Sequence, residues 1–524
     1  MTLFYKLYQP LRSCSYKFYS NAYVLSRQIN TTGKVISLED LITKNADTYE
    51  KITGNLSTTE WKNIREKILQ KNEEVTPTTV DSIIIDMCIK DAQMDNAIAY
   101  FKFLRENNYS LNMAVIGKYL KLYVLKKNSL TNADKTEIVE TYDALRQKHP
   151  YLDSFTAQDC IMSLCLTDEW EKTHEIIEML KITSTPGTAI YSTLADAAFR
   201  NEKPDIAWKA LSDIMSRKLI PQNNVYISHL QYCQLKDEQF FNNKMEEMFH
   251  FWVKHNIMPD NKIISTYADT ASKYGWSTEL VTIPKKTGNC KHCGYSLSKI
   301  TFSEKEFEEL ATSIMDKVII GSDIYNKSNP KELLKFKKFI EDTKPYDIVI
   351  DGLNLTYINM KLPAPKLLTL TNVVDHFKKC GKKILVLTRK HQRKLSAFRH
   401  IERNTFVFVV DNLSADDPYL LYATMASGMN AMFISLDLMR QHKYSLQDDI
   451  LRQRFTKWQY SHQYFVKKSI TGIRIQEPFA YMPTVQKNNN CWHMPYVTSD
   501  NENINTQSYF EFPDKWYCFK HKRK

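Results

Sequence analysis

The sequence predicts a multidomain protein with an amino-terminal α-helical solenoid, a carboxyl-terminal α/β domain containing a parallel sheet, and a small split metal-binding domain. Three observations predict this architecture. Helical segments recur with a period of about 35 residues between positions 78 and 260, as in stacked helix pairs. Short apolar runs alternate with helical segments after residue 340, which is typical of a covered parallel sheet. A Cys-x₂-Cys pair and a cysteine-bearing tail flank that second region.

Length, charge and cysteine usage limit the class of protein. The 524 residues are too many for one ordinary domain. The formal net charge of +12 favours a polyanionic partner such as RNA or DNA, with an anionic membrane as the alternative. Because no run of 18 apolar residues occurs, we expect no membrane span. Most of the ten cysteines have no framework spacing, which indicates a reducing compartment.

The amino-terminal segment, residues 1–35, is basic and contains no acid; the first acid of the chain is Glu39. This composition resembles a mitochondrial presequence, and we therefore expect the protein in the mitochondrial matrix. The alternative is a disordered basic arm that binds nucleic acid directly.

The helical region, residues 40–275, contains paired amphipathic segments. The second helix of several pairs closes on a polar or proline-bearing turn, most clearly in SRKLIPQ and KHNIMPD. These ends resemble pentatricopeptide repeats, which bind single-stranded RNA on their concave face. The alternative is a general helical solenoid that binds protein.

The α/β region, residues 301–474, places acids where its strands end. The predicted strands are 348–351, 383–388, 406–410 and 431–436. Ligands bind beyond the carboxyl ends of parallel strands, so acids at those ends are expected at one edge. They are Asp351, Asp411, the pair Asp416 and Asp417 that opens the following helix, and Asp437.

Such an acidic edge predicts a metal-dependent nuclease. Clustered carboxylates repel one another, and oxygen ligands at a phosphate-handling site suit Mg²⁺ or Mn²⁺. One ion would activate a water for in-line attack on a phosphodiester, and a second would stabilise the leaving oxygen. The alternative for any single Asp, and for Asp416 in particular, is a helix cap. We also expect Gly352 to permit a tight turn after Asp351 and Asn354 to support the edge by hydrogen bonding.

The cysteine and histidine set predicts a structural zinc site. Cys290 and Cys293 have the spacing of a zinc knuckle and need two further ligands. The tail offers Cys491, His493 and Cys518, and His292 lies inside the knuckle. We predict a closed Cys₃His site of Cys290, Cys293, His493 and Cys518. It would join residues 276–300 and 475–524 into one split domain; the alternative is free buried cysteines.

The segments YDIVIDGLNLTY, SADDPYLLYA, SLDLMRQH, CKHCG and CWHMP…WYC together resemble the protein-only RNase P family, in particular its animal mitochondrial members. The resemblance implies removal of the 5′ leader from precursor tRNA, leaving a 5′-phosphate on the tRNA, by a PIN-like (NYN) domain that uses Mg²⁺. It also implies repeats that contact the tRNA elbow and a structural zinc site. The implied partners are a tRNA methyltransferase and a short-chain dehydrogenase, which form one subcomplex.

The resemblance carries the family's magnesium-binding positions onto Asp351, Asp416, Asp417 and Asp437, and its zinc ligands onto the four residues named above. The sequence departs from the family pattern at Leu436, where Asn is usual, and at Gln441, where an acid commonly precedes the histidine. His442 is therefore expected to support proton transfer or phosphate contact, or to be a structural histidine. Two other functions stay open: a non-catalytic RNA-binding protein, and a nuclease of other mitochondrial transcripts.

Overall fold

A computed structural model describes residues 29–30, 35–52, 54, 56–90, 93–315, 330–356, 367–411, 416–437, 439–446, 448–469, 472–496, 513 and 515–521. The chain divides into two compact units, Met1–Met248 and Phe249–Lys524. Most of the expected presequence lies outside the described residues. The four boundaries predicted from the sequence stay predictions.

In its described part, the first unit is helical apart from one pair of two-residue strands, β1 (Ile29–Asn30) and β2 (Val35–Ile36). Short 3₁₀ turns cover Lys127–Ser129 and Trp170–Lys172. Its α-helices are α1 (Leu38–Lys44), α2 (Ala46–Tyr49), α3 (Thr58–Lys71), α4 (Val80–Lys90), α5 (Met94–Glu106), α6 (Met113–Leu125), α7 (Asn132–Lys148), α8 (Ser154–Leu164), α9 (Thr173–Thr183), α10 (Thr188–Arg200), α11 (Pro204–Ser216) and α12 (Asn223–Cys233). Helix α13 (Glu238–His255) contains the boundary between the units.

The repeat predicted from the sequence is present in this unit. Helices α4, α6, α8, α10 and α12 begin at intervals of 33, 41, 34 and 35 residues. The longest interval contains the 17-residue helix α7. A polar residue at the start of α6 ties two neighbouring pairs together. Asn112 Oδ1 accepts from the Val115 amide at 2.9 Å, and its Nδ2 donates to the Thr78 carbonyl at 2.5 Å. The same residue therefore begins a helix and helps to fix the stacking.

The second unit contains α14 (Asn261–Ala271) and two sheets joined by further helices. Its strands are β3 (Trp276–Val281), β4 (Ile348–Asp351), β5 (Ile384–Arg389), β6 (Phe406–Val410), β7 (Met432–Ile434), β8 (Gln463–Ser469), β9 (Gly472–Gln476), β10 (Gln486–Asn488), β11 (Cys491–Tyr496) and β12 (Lys515–His521). Its other helices are α15 (Glu304–Ile314), α16 (Pro330–Thr343), α17 (Gly352–Thr356), α18 (Leu368–Lys379), α19 (Lys390–Arg393), α20 (Phe398–Asn404), α21 (Asp416–Ala426), α22 (Arg440–Ser445) and α23 (Asp449–His462).

The larger sheet has six strands in the order β6-β5-β4-β7-β8-β9. The first five are parallel, and β9 pairs antiparallel with β8. Alternate residues face opposite cores. Val349 and Leu385 pack with helices α15, α16, α21 and α23, whereas Ile350 packs with α18 and α20. Burial on both faces explains why these strands read as unbroken apolar runs.

The smaller sheet joins the two ends of this unit. Its order is β10-β11-β12-β3, and every pairing is antiparallel. Strand β3 precedes the larger sheet in the sequence and β10–β12 follow it, so the expected split domain is a single sheet in space. His493 lies opposite Cys518 in the register of β11 and β12. Within the described ranges, no helix is long and apolar enough to cross a membrane.

Candidate active site and metal centre

Asp351 is the last residue of β4 and lies at the carboxyl edge of the larger sheet, where the sequence places it. Its side chain is 3% exposed. The Asn354 amide donates to Asp351 Oδ1 at 3.0 Å, and Asn354 Nδ2 donates to Oδ2. Asn354 lies in α17, which begins directly after the strand. The local sequence D-G-L-N thus holds a buried carboxylate in one orientation.

Gly352 has a different role from the expected one. Its φ angle is not in the left-handed region, so no glycine-specific turn is required. Instead, a Cβ atom at this position would lie 2.5 Å from the Leu387 carbonyl oxygen. The chain does turn from β4 into α17 at this residue, and the close approach of β5 is the physical reason for glycine here.

A second group of hydrogen bonds connects Asp351 to the segment that carries Asp437. The hydroxyl of Ser435 donates to Asp351 Oδ2 at 3.2 Å and accepts from the Asp437 amide at 3.1 Å and from Asn354 Nδ2 at 3.1 Å. Ser435 is completely buried. Strand β7 ends at Ile434, so Asp437 lies three residues beyond it instead of closing it. One serine hydroxyl therefore sets the relative position of two acidic segments.

Two buried glutamines support the same edge. Gln463 Nε2 donates to the carbonyl oxygens of Ser435 and Asp437, both at 2.9 Å. Gln392 Nε2 donates to the Gly352 carbonyl at 3.0 Å, and its Oε1 accepts from the Arg389 amide at 2.9 Å. Both side chains are 1% exposed or less. Gln392 thereby attaches the backbone that follows Asp351 to the segment after β5, and Gln463 attaches the Asp437 segment to β8.

Asp416 and Asp417 are the first residues of α21, as the sequence predicts. The side chain of Asp416 lies outside the described part of the structure. Asp417 Oδ2 lies 3.6 Å from Nε2 of His442, and both side chains are mostly buried. His442 is on α22, which follows the Asp437 segment. The structure therefore pairs His442 with an acid predicted to bind metal.

Asp411 is at the same edge but has its charge compensated. It follows β6, and its carboxylate lies 2.9 Å from the Lys390 ammonium. This ion pair raises the pKa of Lys390. Arg389 donates to the Asp411 carbonyl oxygen. Asp411 thus needs no metal ion to neutralise it.

The donor set at this edge fits Mg²⁺. It consists of carboxylates with amide and hydroxyl groups around them, and Mg²⁺ binds through one or two carboxylates while keeping several waters. Among the described side chains, Asp351, Asp417 and Asp437 do not form a group with all ligand atoms within 4.8 Å. Water-bridged coordination by some of the acids is consistent with that separation.

A compact thiol and imidazole group lies elsewhere in the second unit. One ligand atom from each of Cys290, Cys293, His493 and Cys518 lies within 4.8 Å of the others. Cys293 Sγ and His493 Nε2 are 3.3 Å apart. Two ligands of one tetrahedral zinc ion are separated by about 3.5 Å, so the spacing fits zinc. The structure brings together the four residues predicted from the sequence.

The electrostatics of this group agree with a cation site. The thiol of Cys518 donates a hydrogen bond to Cys290, which lowers the pKa of Cys290 to about 3 despite burial. The same contact and burial raise the pKa of Cys518 far above its usual value. Burial also raises the pKa of Cys293. Packed thiols of this kind ionise together only when a metal ion balances their charge.

The other two candidates are not part of this group. His292 lies against β3, with Nε2 at 3.2 Å from Ser277 Oγ and Nδ1 at 2.8 Å from Glu279 Oε2. Cys491 is buried, and burial raises its pKa to about 11. Their positions leave Cys290, Cys293, His493 and Cys518 as the four-ligand set.

Sequence reasoning missed Ser435, Gln392 and Gln463. Ser435 and Asp437 are polar positions that end the apolar run AMFISL, and this break is a usable signal. The two glutamines have no such signal. Gln392 lies in the short helix α19, and Gln463 is the first residue of β8, and neither stands next to a break in an apolar run. Only the strand order brings their amides to this edge.

Helical repeats, an α/β domain with acids at the carboxyl edge of its parallel strands, and a Cys₃His group define a class of repeat-bearing α/β nuclease. The family model for protein-only RNase P matches residues 284–518. This range contains Asp351, Asp416, Asp417 and Asp437 and all four residues of the Cys₃His group. Over these residues, just under half of its length, the chain is similar to the protein-only RNase P family.

Two curated relatives match most of this chain. The chain is 28% identical over 482 residues to the mitochondrial ribonuclease P catalytic subunits of Mus musculus and Rattus norvegicus, with 90% of this chain and 80% and 79% of those proteins covered. The crystal structure of nuclear proteinaceous RNase P 2 from Arabidopsis thaliana has the same fold. Its TM-score is 0.55 at 13% identity, over 85% of this chain and 99% of that one.

Proposed function

We propose that this protein is the catalytic subunit of a mitochondrial ribonuclease P. It removes the 5′ leader from precursor tRNA by metal-dependent hydrolysis of one phosphodiester bond and leaves a 5′-phosphate on the tRNA. The observation that carries this proposal is the joint match of residues 284–518 to the protein-only RNase P family and of 90% of the chain to two catalytic subunits.

The acids of the larger sheet are proposed to bind the catalytic metal. Asp351, Asp416, Asp417 and Asp437 hold Mg²⁺, or Mn²⁺ in its place. When bound, the ion supplies a water of lowered pKa and neutralises charge on the phosphate. Asn354 and Ser435 hold Asp351 in the orientation that presents its carboxylate at the edge. Gln463 holds the Asp437 segment in the same way.

His442 is proposed to support the reaction through Asp417. At 3.6 Å from Asp417 Oδ2, its imidazole is near enough to hold that carboxylate in place or to move a proton at Nε2. Leu436 and Gln441, the two departures from the family pattern, lie in the same segment as Asp437 and His442. All four acids are present despite these two departures.

The Cys₃His group is proposed to hold a structural zinc ion. All four ligands are protein side chains, which leaves no open position for catalysis. Cys290 and Cys293 lie between β3 and α15, and the other two ligands lie on β11 and β12. Zinc therefore joins the start and the end of the split domain, and its binding free energy adds to folding.

The remaining parts of the proposal concern RNA, partners and location. The helical repeats bind the folded precursor tRNA, in agreement with the net charge of +12. A tRNA methyltransferase–dehydrogenase subcomplex assists cleavage, and the protein works in the mitochondrial matrix. The names of the mouse and rat relatives support the mitochondrial assignment.

A cleavage assay tests the function. Residues 36–524 are incubated with a 5′-extended mitochondrial precursor tRNA and Mg²⁺, with and without the methyltransferase–dehydrogenase pair, and product ends are mapped to the nucleotide. We expect one cut at the mature 5′ end, abolished in Asp416→Asn/Asp417→Asn. Tight RNA binding without any cut, even with both partners, would establish a non-catalytic RNA-binding protein. Cuts only in other transcripts would establish a different nuclease.

A further inference from the structure

A basic pocket lies at the amino edge of the larger sheet, opposite the acidic edge. It has a volume of about 470 Å³, within the range of ligand sites. It forms where α18 turns into β5 and where α20 turns into β6. Segments distant in sequence meet there, and none of them contains a residue assigned above to metal binding.

Four cationic side chains line this pocket: Lys378, Lys382, Lys383 and Arg403. Lys382 Nζ lies 3.2 Å from Asp347 Oδ1, and Lys383 Nζ donates to the Thr343 carbonyl at 2.6 Å.

Lys378 and Arg403 are exposed, and within the described ranges neither has a carboxylate partner. The pocket therefore has a surplus of positive charge that is available to an anion.

An aromatic ring lies beside these cations. Phe406 is 39% exposed and lines the pocket, and Lys383 Nζ lies 5.2 Å from its ring centroid. Cations beside an exposed ring are the combination that binds single-stranded nucleic acid, because the cations contact phosphates and the ring stacks on a base. An inorganic anion or an acidic peptide would not need the ring.

The position of the pocket selects the part of the RNA. Strand β5 has six residues and spans about 17 Å, so the pocket lies about that far from the acidic edge. A leader that begins at the scissile phosphate reaches the pocket within a few nucleotides. We propose that this pocket binds the single-stranded 5′ leader of the precursor. This inference rests on the proposed function.

The test varies the leader and the pocket together in the full chain with its partners. Single-turnover cleavage is measured on precursors with leaders of about 2 and about 12 nucleotides, lengths below and within the ~4–16 nucleotide site sizes of single-strand grooves. The variant is Lys378→Ala/Arg403→Ala. The matched control is Lys305→Ala/Lys335→Ala, which removes the same charge from exposed positions on α15 and α16. Thermal melting checks the fold of each variant.

We expect the variant to need a higher protein concentration for half-maximal cleavage of the long-leader precursor. The half-saturating concentration for the short-leader precursor and the maximal rate should not change. Loss of two phosphate contacts should reduce the slope of log affinity against log salt concentration by about 1.4. The affinity ratio of the unaltered protein to the variant should therefore change about sevenfold between 50 and 200 mM salt. Phe406→Leu should also lower the affinity for the long-leader precursor, and Phe406→Tyr should keep the affinity of the unaltered protein.

Equal effects on both leaders, or equal effects in the variant and the control, would overturn the inference. Failure of the unaltered protein to cleave either precursor would overturn the proposed function instead. Weakened binding of a partner protein with unchanged leader dependence would make the pocket a protein interface and also overturn the proposal.

Discussion

Replacement of Ser435 by alanine tests whether one hydroxyl positions the metal-binding acids. The hydroxyl makes three hydrogen bonds of 3.1–3.2 Å, to Asp351, Asn354 and the Asp437 amide. Ser435 is completely buried, so no solvent replaces these bonds in the variant. A hydrogen bond to a charged group contributes about 1.5–3 kcal/mol and a neutral one about 1 kcal/mol. One charged and two neutral bonds add up to an expected loss of about 3.5–5 kcal/mol in the free energy of unfolding of Ser435→Ala.

The larger effect should be on metal dependence. Loss of a group that orients metal ligands typically lowers metal affinity by about 10–100-fold. We therefore expect the Mg²⁺ concentration for half-maximal cleavage to rise by about that factor, with the rate at saturating Mg²⁺ much less affected. The assay is single-turnover cleavage of precursor tRNA over a Mg²⁺ titration, below the melting temperature of the variant.

Ser427→Ala is the matched control. Its hydroxyl donates to the Ala423 carbonyl in α21 at 2.7 Å and has no hydrogen bond to an acid among the described residues, so its Mg²⁺ titration should match that of the unaltered protein. The reasoning is refuted if Ser435→Ala loses stability but keeps the original Mg²⁺ dependence. In that case the hydroxyl stabilises the fold without positioning the acids.

Three other outcomes are expected. Asp417→Asn should abolish cleavage and leave RNA affinity nearly unchanged. Asp449→Asn, at an exposed position, should affect neither. Equal loss of binding and cleavage in the first variant would contradict metal binding by Asp417. Cys293→Ser should reduce the bound zinc and the melting temperature, and Cys380→Ser, at an exposed position, should change neither. Unchanged zinc content in Cys293→Ser would show that Cys293 is not a zinc ligand. Burial, helped by Lys244, lowers the pKa of His229 to about 3, so its folded pKa is below the unfolded value near 6.5. Its contribution to stability is complete above pH 6.5 and should fall by about 2 kcal/mol at pH 5. In urea unfolding, His229→Leu should remove this part of the loss of stability in acid. An unchanged dependence of stability on pH in that variant would contradict the prediction.

The sequence alone determined features that follow from local periodicity and spacing. The run Ile348–Val349–Ile350 predicts a buried strand that ends at Asp351, because burial on both faces requires consecutive apolar residues. Helix pairs with a period of about 35 residues likewise predict the stacked helices of the first unit. The Cys-x₂-Cys spacing by itself indicates half of the metal site, because two thiolates at that separation can bind one zinc ion.

Only the tertiary structure decided how distant residues meet. Ser435 and Asp351 are 84 positions apart, and the adjacency of β4 and β7 makes them hydrogen-bond partners. The same strand order gives Asp411 a lysine partner and brings the Leu387 carbonyl against Gly352. An unbroken apolar run indicates that a strand is buried on both faces, but it does not specify which strand lies beside it. The hydrogen-bond partners, the charge compensation and the basic pocket all depend on the order of the strands. That order is determined by the packing of the whole unit.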